Sequence, residues 1–428
     1  MTAEGEGEER KPEDGGDLGG QRGGGGLAAS IRNVFDAENS FLVTLLAIVL
    51  ALIVGAVLMV VSDPKAMDKA GYFFAGPGDF LSAAWDDISG GYSALFEGAV
   101  FDPGALSGTP SQFFGPICNT LLNATPLMFG GLGVCVAFRA GLFNIGGQGQ
   151  LILGAVCCGY ASFAWHIPAP LHLIVAVLAG ALGGLLWGLL VGWLKAFRGA
   201  HEVIVTIMLN YVALYFLNYL LNAKGFHDPA GLGQAVSKPA DRNARLPHLF
   251  GDQVGTDIGL LIALAAVAAA WWLLTRSKLG FEIRATGQNP RAARTAGVDI
   301  GRTQMAAMAL SGLLFGLIGV TQTLGTTNPN NNALSPNIDA GLGFTAITVA
   351  LLGRNKPVGV LWASLLYGAF DAGAPFMQAN AGIKVEIVTV VESLIVIFVA
   401  APRIVQEVFR LRARRAADLR GAAVRRQL

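Results

Sequence analysis

Charge is scarce in this chain. Only 14% of its 428 residues are Asp, Glu, Lys or Arg, against 53% with apolar side chains, whereas a soluble domain carries about 25% charged residues. So few charges cannot cover the apolar surface of a water-soluble fold of this size. That excludes an ordinary soluble enzyme and leaves lipid to do part of the covering. Neither sign of charge is in excess, with 30 Lys and Arg against 29 Asp and Glu, so the basic surface of a nucleic-acid binder is excluded too. Cysteine is also sparse. Cys118, Cys135, Cys157 and Cys158 all fall inside apolar runs, without the spacing or histidine neighbours of a zinc site, and no disulfide or metal framework is expected. Motifs of covalent chemistry are missing as well: the chain has no GxxxxGK[ST], HExxH, GxSxG or paired CxxC. It therefore has no phosphate-binding loop with which to hydrolyse nucleotide, and no catalytic residue, metal ligand or cofactor is predicted.

Apolar sequence and glycine are what this chain has in abundance. Fifty-seven glycines in a hydrophobic chain suit close helix packing in a bilayer. A crossing helix needs about 20 predominantly apolar residues. Ten stretches are candidates: Phe41–Ser62, Phe113–Phe138, Gly147–His166, Leu171–Lys195, Val203–Asn222, Asp257–Thr275, Gln304–Leu324, Leu342–Gly353, Val358–Pro375 and Glu386–Ala400. The predicted fold is all-α, a polytopic integral membrane bundle of about ten transmembrane segments over residues 41–402 in the plasma membrane. The second stretch is interrupted by Pro126. The eighth is short of the usual span, as a broken or re-entrant helix would be. Lys and Arg in short connections face the cytoplasm. Arg403, Arg410, Arg412, Arg414, Arg415, Arg420, Arg425 and Arg426 follow the last stretch, which makes 403–428 a basic cytoplasmic tail. The loop 276–303, with Arg276, Lys278, Arg284, Arg291, Arg294 and Arg302, is then cytoplasmic and the insert 63–112 extracytoplasmic. Ten crossings put both termini inside. Residues 1–40, acidic and Gly-rich, are predicted to be a disordered cytoplasmic tail.

Two stretches carry most of the information. Phe138–Ala155 reads FRAGLFNIGGQGQLILGA, with Asn144, Gln148 and Gln150 among glycines that permit turns and close backbone approach. At membrane depth such a run is tolerated only where protein buries it or where it lines a water-filled path; at the edge it is an ordinary turn before a helix. Gly287–Asp299 reads GQNPRAARTAGVD. Asn289 can cap a short helix, Pro290 fits its first position and Gly297 can end it in a left-handed conformation. Ala292, Ala293 and Ala296 are expected towards one side, where another protein can approach closely. Read on composition alone, the same loop is a solvated basic connection. Within the spans, Asn210, Tyr211 and Asn218 share one stretch, and Tyr211 and Asn218 are placed on one face by their spacing. They suit a sugar or base as well as they suit helix–helix hydrogen bonds. Asp371 and Glu392 are carboxylates at membrane depth, expected to face the interior, and Glu202 before the fifth stretch reads as a capping residue. Gly180-x-x-x-Gly184 and Gly312-x-x-x-Gly316 read as packing contacts.

Several of these segments resemble a known family. Ala292-Ala293-x-x-x-Gly297 is similar to the coupling loop of ABC importer permeases, which docks on a partner ATPase. FNIGGQGQLILGA resembles the signature of the branched-chain amino acid, simple sugar and nucleoside permease family, and HEVIVTIMLNY at His201–Tyr211 is similar to its nucleoside and simple-sugar branch. GLGFTAITVALLGRNKPVGVL at Gly341–Leu361 fits as well, and the motifs keep family order from Phe113 to Arg403. Two positions depart: Gln148 stands where relatives commonly carry a carboxylate, and Arg291 where an acidic residue often opens the coupling motif. The resemblance implies a permease subunit of an ATP-driven importer for a nucleoside or simple sugar. It implies a cytoplasmic ABC ATPase on Gly287, Asn289, Ala292, Ala293 and Gly297, an extracytoplasmic binding protein and a second permease subunit, identical or paralogous. Asn144, Gln148, Asn210, Tyr211, Asn218, Asp371 and Glu392 are the expected substrate path. The alternative is an ion-coupled secondary transporter of small polar solutes, with Asp371, Glu392 or Glu202 as its coupling residue.

Overall fold

The computed structural model describes residues 40–71, 74, 77–104, 110–231, 233–249, 255–326 and 332–409. The predicted disordered tail and most of the basic tail lie outside these. Thr44–Val405 forms one compact unit. Of the remainder, only the first turn of helix α1 (Ser40–Ser62) and residues 406–409 are described. Among the described residues the chain is helical, with two isolated bridges, His227–Ser237 and His248–Asp257, in one long connection.

Each of the ten predicted stretches is a helix. After α1 come α2 (Pro64–Ala70) and α3 (Pro77–Ala99) in the insert, then α4 (Pro110–Arg139), α5 (Gly147–Ala164), α6 (Leu171–Arg198), α7 (Glu202–Leu221) and α8 (Gly259–Arg276). Helices α9 (Lys278–Gln288) and α10 (Pro290–Thr295) lead into α11 (Ile300–Leu324), and α12 (Leu342–Leu352), α13 (Pro357–Ala381), α14 (Val385–Ala400) and α15 (Pro402–Val408) complete the order. By length and apolarity six can cross a membrane, namely α1, α4, α6, α7, α8 and α11; α14 with α15, bent by 93°, makes a seventh if counted as one span. Ten crossings are therefore not established by these criteria.

Two sequence expectations change. Neither Pro126 nor Pro375 ends its helix: α4 runs through Pro116 and Pro126, and α13 continues past Pro375 to Ala381. A proline removes one donor and frees one carbonyl, which a helix packed among others can tolerate. The loop 276–303 is largely helical, because Ser277 accepts from Gly280 N (2.9 Å) and starts α9 directly after α8. The eighth stretch is short as its sequence suggested: α12 is only 11 residues long, about 17 Å at 1.5 Å per residue, too short to cross alone.

The core is built on small residues. Helices α4 and α11 are mostly buried, while α1, α7 and α8 bury a stripe. On α6, Gly180, Gly184, Gly188 and Gly192 face inward, and Leu178, Leu182, Leu186 and Leu190 are exposed. This inverts the soluble pattern, since lipid is as apolar as leucine and backbone approach drives association instead. A Cβ on Gly184 would run into the Gly312 carbonyl oxygen and lie 2.6 Å from Gly316 Cα. One on Gly154 of α5 would lie 2.5 Å from the same Cα. Helices α5, α6 and α11 therefore meet backbone to backbone, and the two GxxxG motifs are packing contacts.

Candidate functional site

The hairpin of α9 and α10 is shaped by local chemistry. Asn289 is extended, and its Oδ1 accepts from Arg291 N (3.0 Å) and Ala292 N (3.1 Å), with Pro290 opening the helix. At the other end Gly297 takes φ +85°, a left-handed conformation that favours glycine. Its amide donates to Arg294 O (3.0 Å) and that of Val298 to Ala293 O (3.0 Å). Asp299 then caps α11 by accepting from Arg302 N (3.1 Å). Asn289, Ala292, Ala296 and Gly297 are exposed. Ala293 is not on their face, because it is buried together with Val298 as the helix end folds back on the chain. Gly287 is not on it either. A Cβ there would fall on the Arg139 carbonyl oxygen and lie 2.8 Å from Gly141 N, so this residue packs against the end of α4.

Beyond α4 the chain turns back into the bundle. Gly141, at φ +74°, lets the helix stop, with Leu142 N donating to Ala137 O (3.0 Å). Asn144 is fully buried; its Nδ2 donates to Ser311 Oγ (2.8 Å) and Gln150 Oε1 (3.0 Å), and its Oδ1 accepts from Gly146 N (2.9 Å). Asn210 of α7 clamps the loop from the other side, accepting from Gly149 N (2.8 Å) and donating to Ile145 O (3.0 Å). Ser311 lies 11 residues beyond the start of α11, about 17 Å along its axis. The loop is therefore polar backbone at bundle depth, buried in protein as such backbone must be. Gln148 Nε2 donates to Asp339 Oδ2 (3.0 Å), just ahead of α12. A Cβ on Gly343 would lie 2.6 Å from Gln148 N, so the first turns of α5 and α12 abut.

The structure thus brings Asn144, Gln148 and Asn210 together and sets the others apart. Tyr211, next to Asn210 on α7, turns out of the bundle and is exposed, and Asn218 is half-buried. Asp371 is exposed on α13, four residues before Pro375, whose missing N–H leaves the Asp371 carbonyl without its helical partner. Glu392 of α14 is half-buried, with Oε1 buried and without a hydrogen-bond partner, while its backbone carbonyl accepts from Tyr367 Oη (3.0 Å). Glu202 is not simply a cap; it pairs with Lys195 of α6 at 2.7 Å. Sequence reasoning passes over Ser311 and Asp339, single polar residues in no motif. It also passes over Tyr215 and Tyr219, exposed like Tyr211 at a four-residue spacing that was there to be read.

At the other end of the bundle, where α1 stops, α3 and the turn from α13 to α14 help enclose an open cavity of about 420 Å³. Asp63, Lys65, Asp87 and Lys384 are among its lining residues. Burial, and next the neighbouring Asp63 carboxylate, raise the Asp87 carboxyl above its ordinary value.

Known proteins place this architecture. Residues 117–400 match the family described as branched-chain amino acid transport system / permease component. The chain is 34% identical over 365 residues to the guanosine ABC transporter permease protein NupP of Bacillus subtilis, covering 84% of this chain and 93% of that protein. It is 33% identical over 296 residues to the nucleoside ABC transporter permease protein NupB of Lactococcus lactis, covering 68% of this chain and 80% of the other. A glucose ABC transporter permease protein of Haloferax volcanii is 32% identical over 303 residues, covering 67% of this chain and 76% of that protein. No solved structure matches the chain. The match takes in α5, α9, α10 and the central glycine seam, and with its long apolar helices this multi-pass membrane protein belongs to the branched-chain amino acid transport system permease component family.

Proposed function

We propose that this chain is the membrane-spanning subunit of an ATP-driven ABC importer that moves a nucleoside, guanosine-like in class, with a simple sugar as the second choice. The observation that carries the reading is the 34% identity to a guanosine permease over 84% of the chain, together with a capped, exposed α10 between two helices of the bundle. The subunit crosses the membrane ten times with both ends in the cytoplasm, counting α12 with the loop before it and α14 each as a crossing. A cytoplasmic ATPase sits on Asn289, Ala292, Ala296 and Gly297. A binding protein delivers solute to the opposite face. A second permease copy or a paralogue completes the path.

Physical chemistry favours placing that path along α12, α13 and α14. Asp371 and Glu392 are carboxylates that cannot face hydrocarbon cheaply, so the surface carrying them turns to water or to the second subunit. Polar groups there offer hydrogen bonds to sugar hydroxyls. Asn144, Gln148 and Asn210 border the path by fixing where α5 begins, and exposed Tyr211, with half-buried Asn218 two turns on, offers a base or a neighbouring subunit a polar contact on α7. Transport is alternating access: nucleotide in the ATPase favours one of two packings of the bundle.

The test is uptake of labelled guanosine into proteoliposomes holding this subunit with its ATPase and binding protein. Uptake that needs ATP and all the components supports the reading. Uptake by this chain alone, driven by a proton or Na⁺ gradient, overturns it.

A further inference from the structure

The proposed ATPase face and the residues that border the path lie on different elements of the fold, and one backbone contact links the segments next to them. Gly287, two residues before the cap of α10, meets the first residues after α4 without any side chain intervening. A Cβ on Gly287 would strike the Arg139 carbonyl oxygen and lie 2.8 Å from Gly141 N; a Cβ on Gly141 would lie 3.2 Å from Gly287 Cα. Arg139 is held as well, its Nε donating to Asn355 O (2.9 Å) in the turn between α12 and α13. From Gly141 onward the loop is fastened at nearly every step. Asn144 holds Ser311 and Gln150, Asn210 holds Ile145 and Gly149, and Gln148 holds Asp339 ahead of α12.

A loop fastened in this way moves as a body. Close-packed backbone without a flexible side chain between its surfaces cannot absorb a displacement of either partner. We propose that the Gly141–Gly287 contact is the joint through which displacement of the α9–α10 hairpin shifts the loop 142–148, and with it the start of α5 against α12. Gly287 is then a positioning residue for transport and not an ATPase contact, and Gly141 and Arg139 act with it. The inference rests on the proposed docking of an ATPase at α10, but it concerns what happens inside this chain once that partner moves.

The experiment uses the reconstituted importer with Gly287→Ala, the smallest Cβ. The ATPase is expected to remain bound and to hydrolyse ATP at its basal rate. Guanosine uptake and the stimulation of hydrolysis by the loaded binding protein are expected to fall about tenfold, within the usual range of coupling between sites. Loss of the ATPase from the Gly287→Ala complex would make Gly287 a docking residue and overturn the inference, as would wild-type uptake. A second measurement holds whether or not that variant folds. A spin label at Phe143→Cys, an exposed position in the loop, is expected to change mobility when ATP binds to the otherwise unaltered complex. An unresponsive label in a complex that transports overturns the joint. Failure of the unaltered chain to bind any ATPase would instead count against the proposed function.

Discussion

Substituting Gly184 by alanine sets two well-measured effects against each other. In an isolated helix the change is favourable by up to about 1 kcal/mol, because glycine is the poorer helix former. In the bundle the new methyl group lands on backbone that cannot rotate aside: the Gly312 carbonyl oxygen is nearest, and Gly316 Cα is 2.6 Å away. Moving that carbon out to the 3.4 Å at which ordinary contact begins parts α6 from α11 by at least about 0.8 Å, and clearing the nearer Gly312 oxygen takes more. A gap of this order forfeits about a quarter to a half of each dispersion contact along the seam, and overpacking of a close-packed interior costs about 1–3 kcal/mol. The loss wins, the more so because helix persists in the membrane-unfolded state and little propensity is gained there. Reversible unfolding in mixed micelles is expected to show Gly184→Ala less stable by about 1–3 kcal/mol. Gly90→Ala on α3, where a Cβ meets nothing within 4 Å, is expected to be more stable by about 0.5–1 kcal/mol. Adding Gly312→Ala to Gly184→Ala should cost less than it does alone, since the helices are already parted, with a coupling of about 0.5 kcal/mol or more. A Gly184→Ala protein at least as stable as the wild type would refute the backbone-on-backbone seam.

Two further outcomes follow from local chemistry. Asn289→Ala removes the acceptor for Arg291 N and Ala292 N and is expected to cost about 1 kcal/mol of α10, read as faster hydrogen exchange at those two amides with exchange in α11 unchanged. Asp87 titrates above its ordinary 3.8, so the fold favours its protonated form. That contribution is complete below pH 3.8 and is lost as pH rises through the raised value. Asp87→Asn is therefore expected to raise the melting temperature at pH 7 and to leave it unchanged at pH 3; no difference at pH 7 would show that Asp87 ionises there without penalty.

Which features the sequence discloses depends on how far apart the interacting groups are. Helix α10 was legible because its rules act within a few residues. Asn289 caps the two amides beside it, Pro290 needs no donor, and Gly297 can take the left-handed turn. The direction of Ala293 was not legible, because it depends on what the rest of the chain brings against it. The loop between α4 and α5 shows its polar residues plainly, but their partners lie 61, 167 and 191 positions away, and no local pattern encodes that. Pro126 looked like an interruption, and the ninth stretch was ended at Pro375, because a missing donor is a local fact, whereas the packing that carries the helix past it is not. Tyr211 and Asn218 shared a face by spacing, but spacing alone does not say which face is buried. In water, hydrophobic contrast would decide; beside lipid there is none, and small residues and hydrogen-bonded amides mark the inner side instead. On α7 that criterion selects Asn210 and Ala213, which are buried, and rejects Tyr211, Tyr215 and Tyr219, which are exposed. On α6 it selects the buried glycines and rejects exposed leucines such as Leu178, Leu182 and Leu186. The same criterion makes α5 intelligible: it is too polar to pass as a lipid-facing span because most of its length is enclosed by protein, and its amides and glycines are what let α6, α7 and α11 close around it.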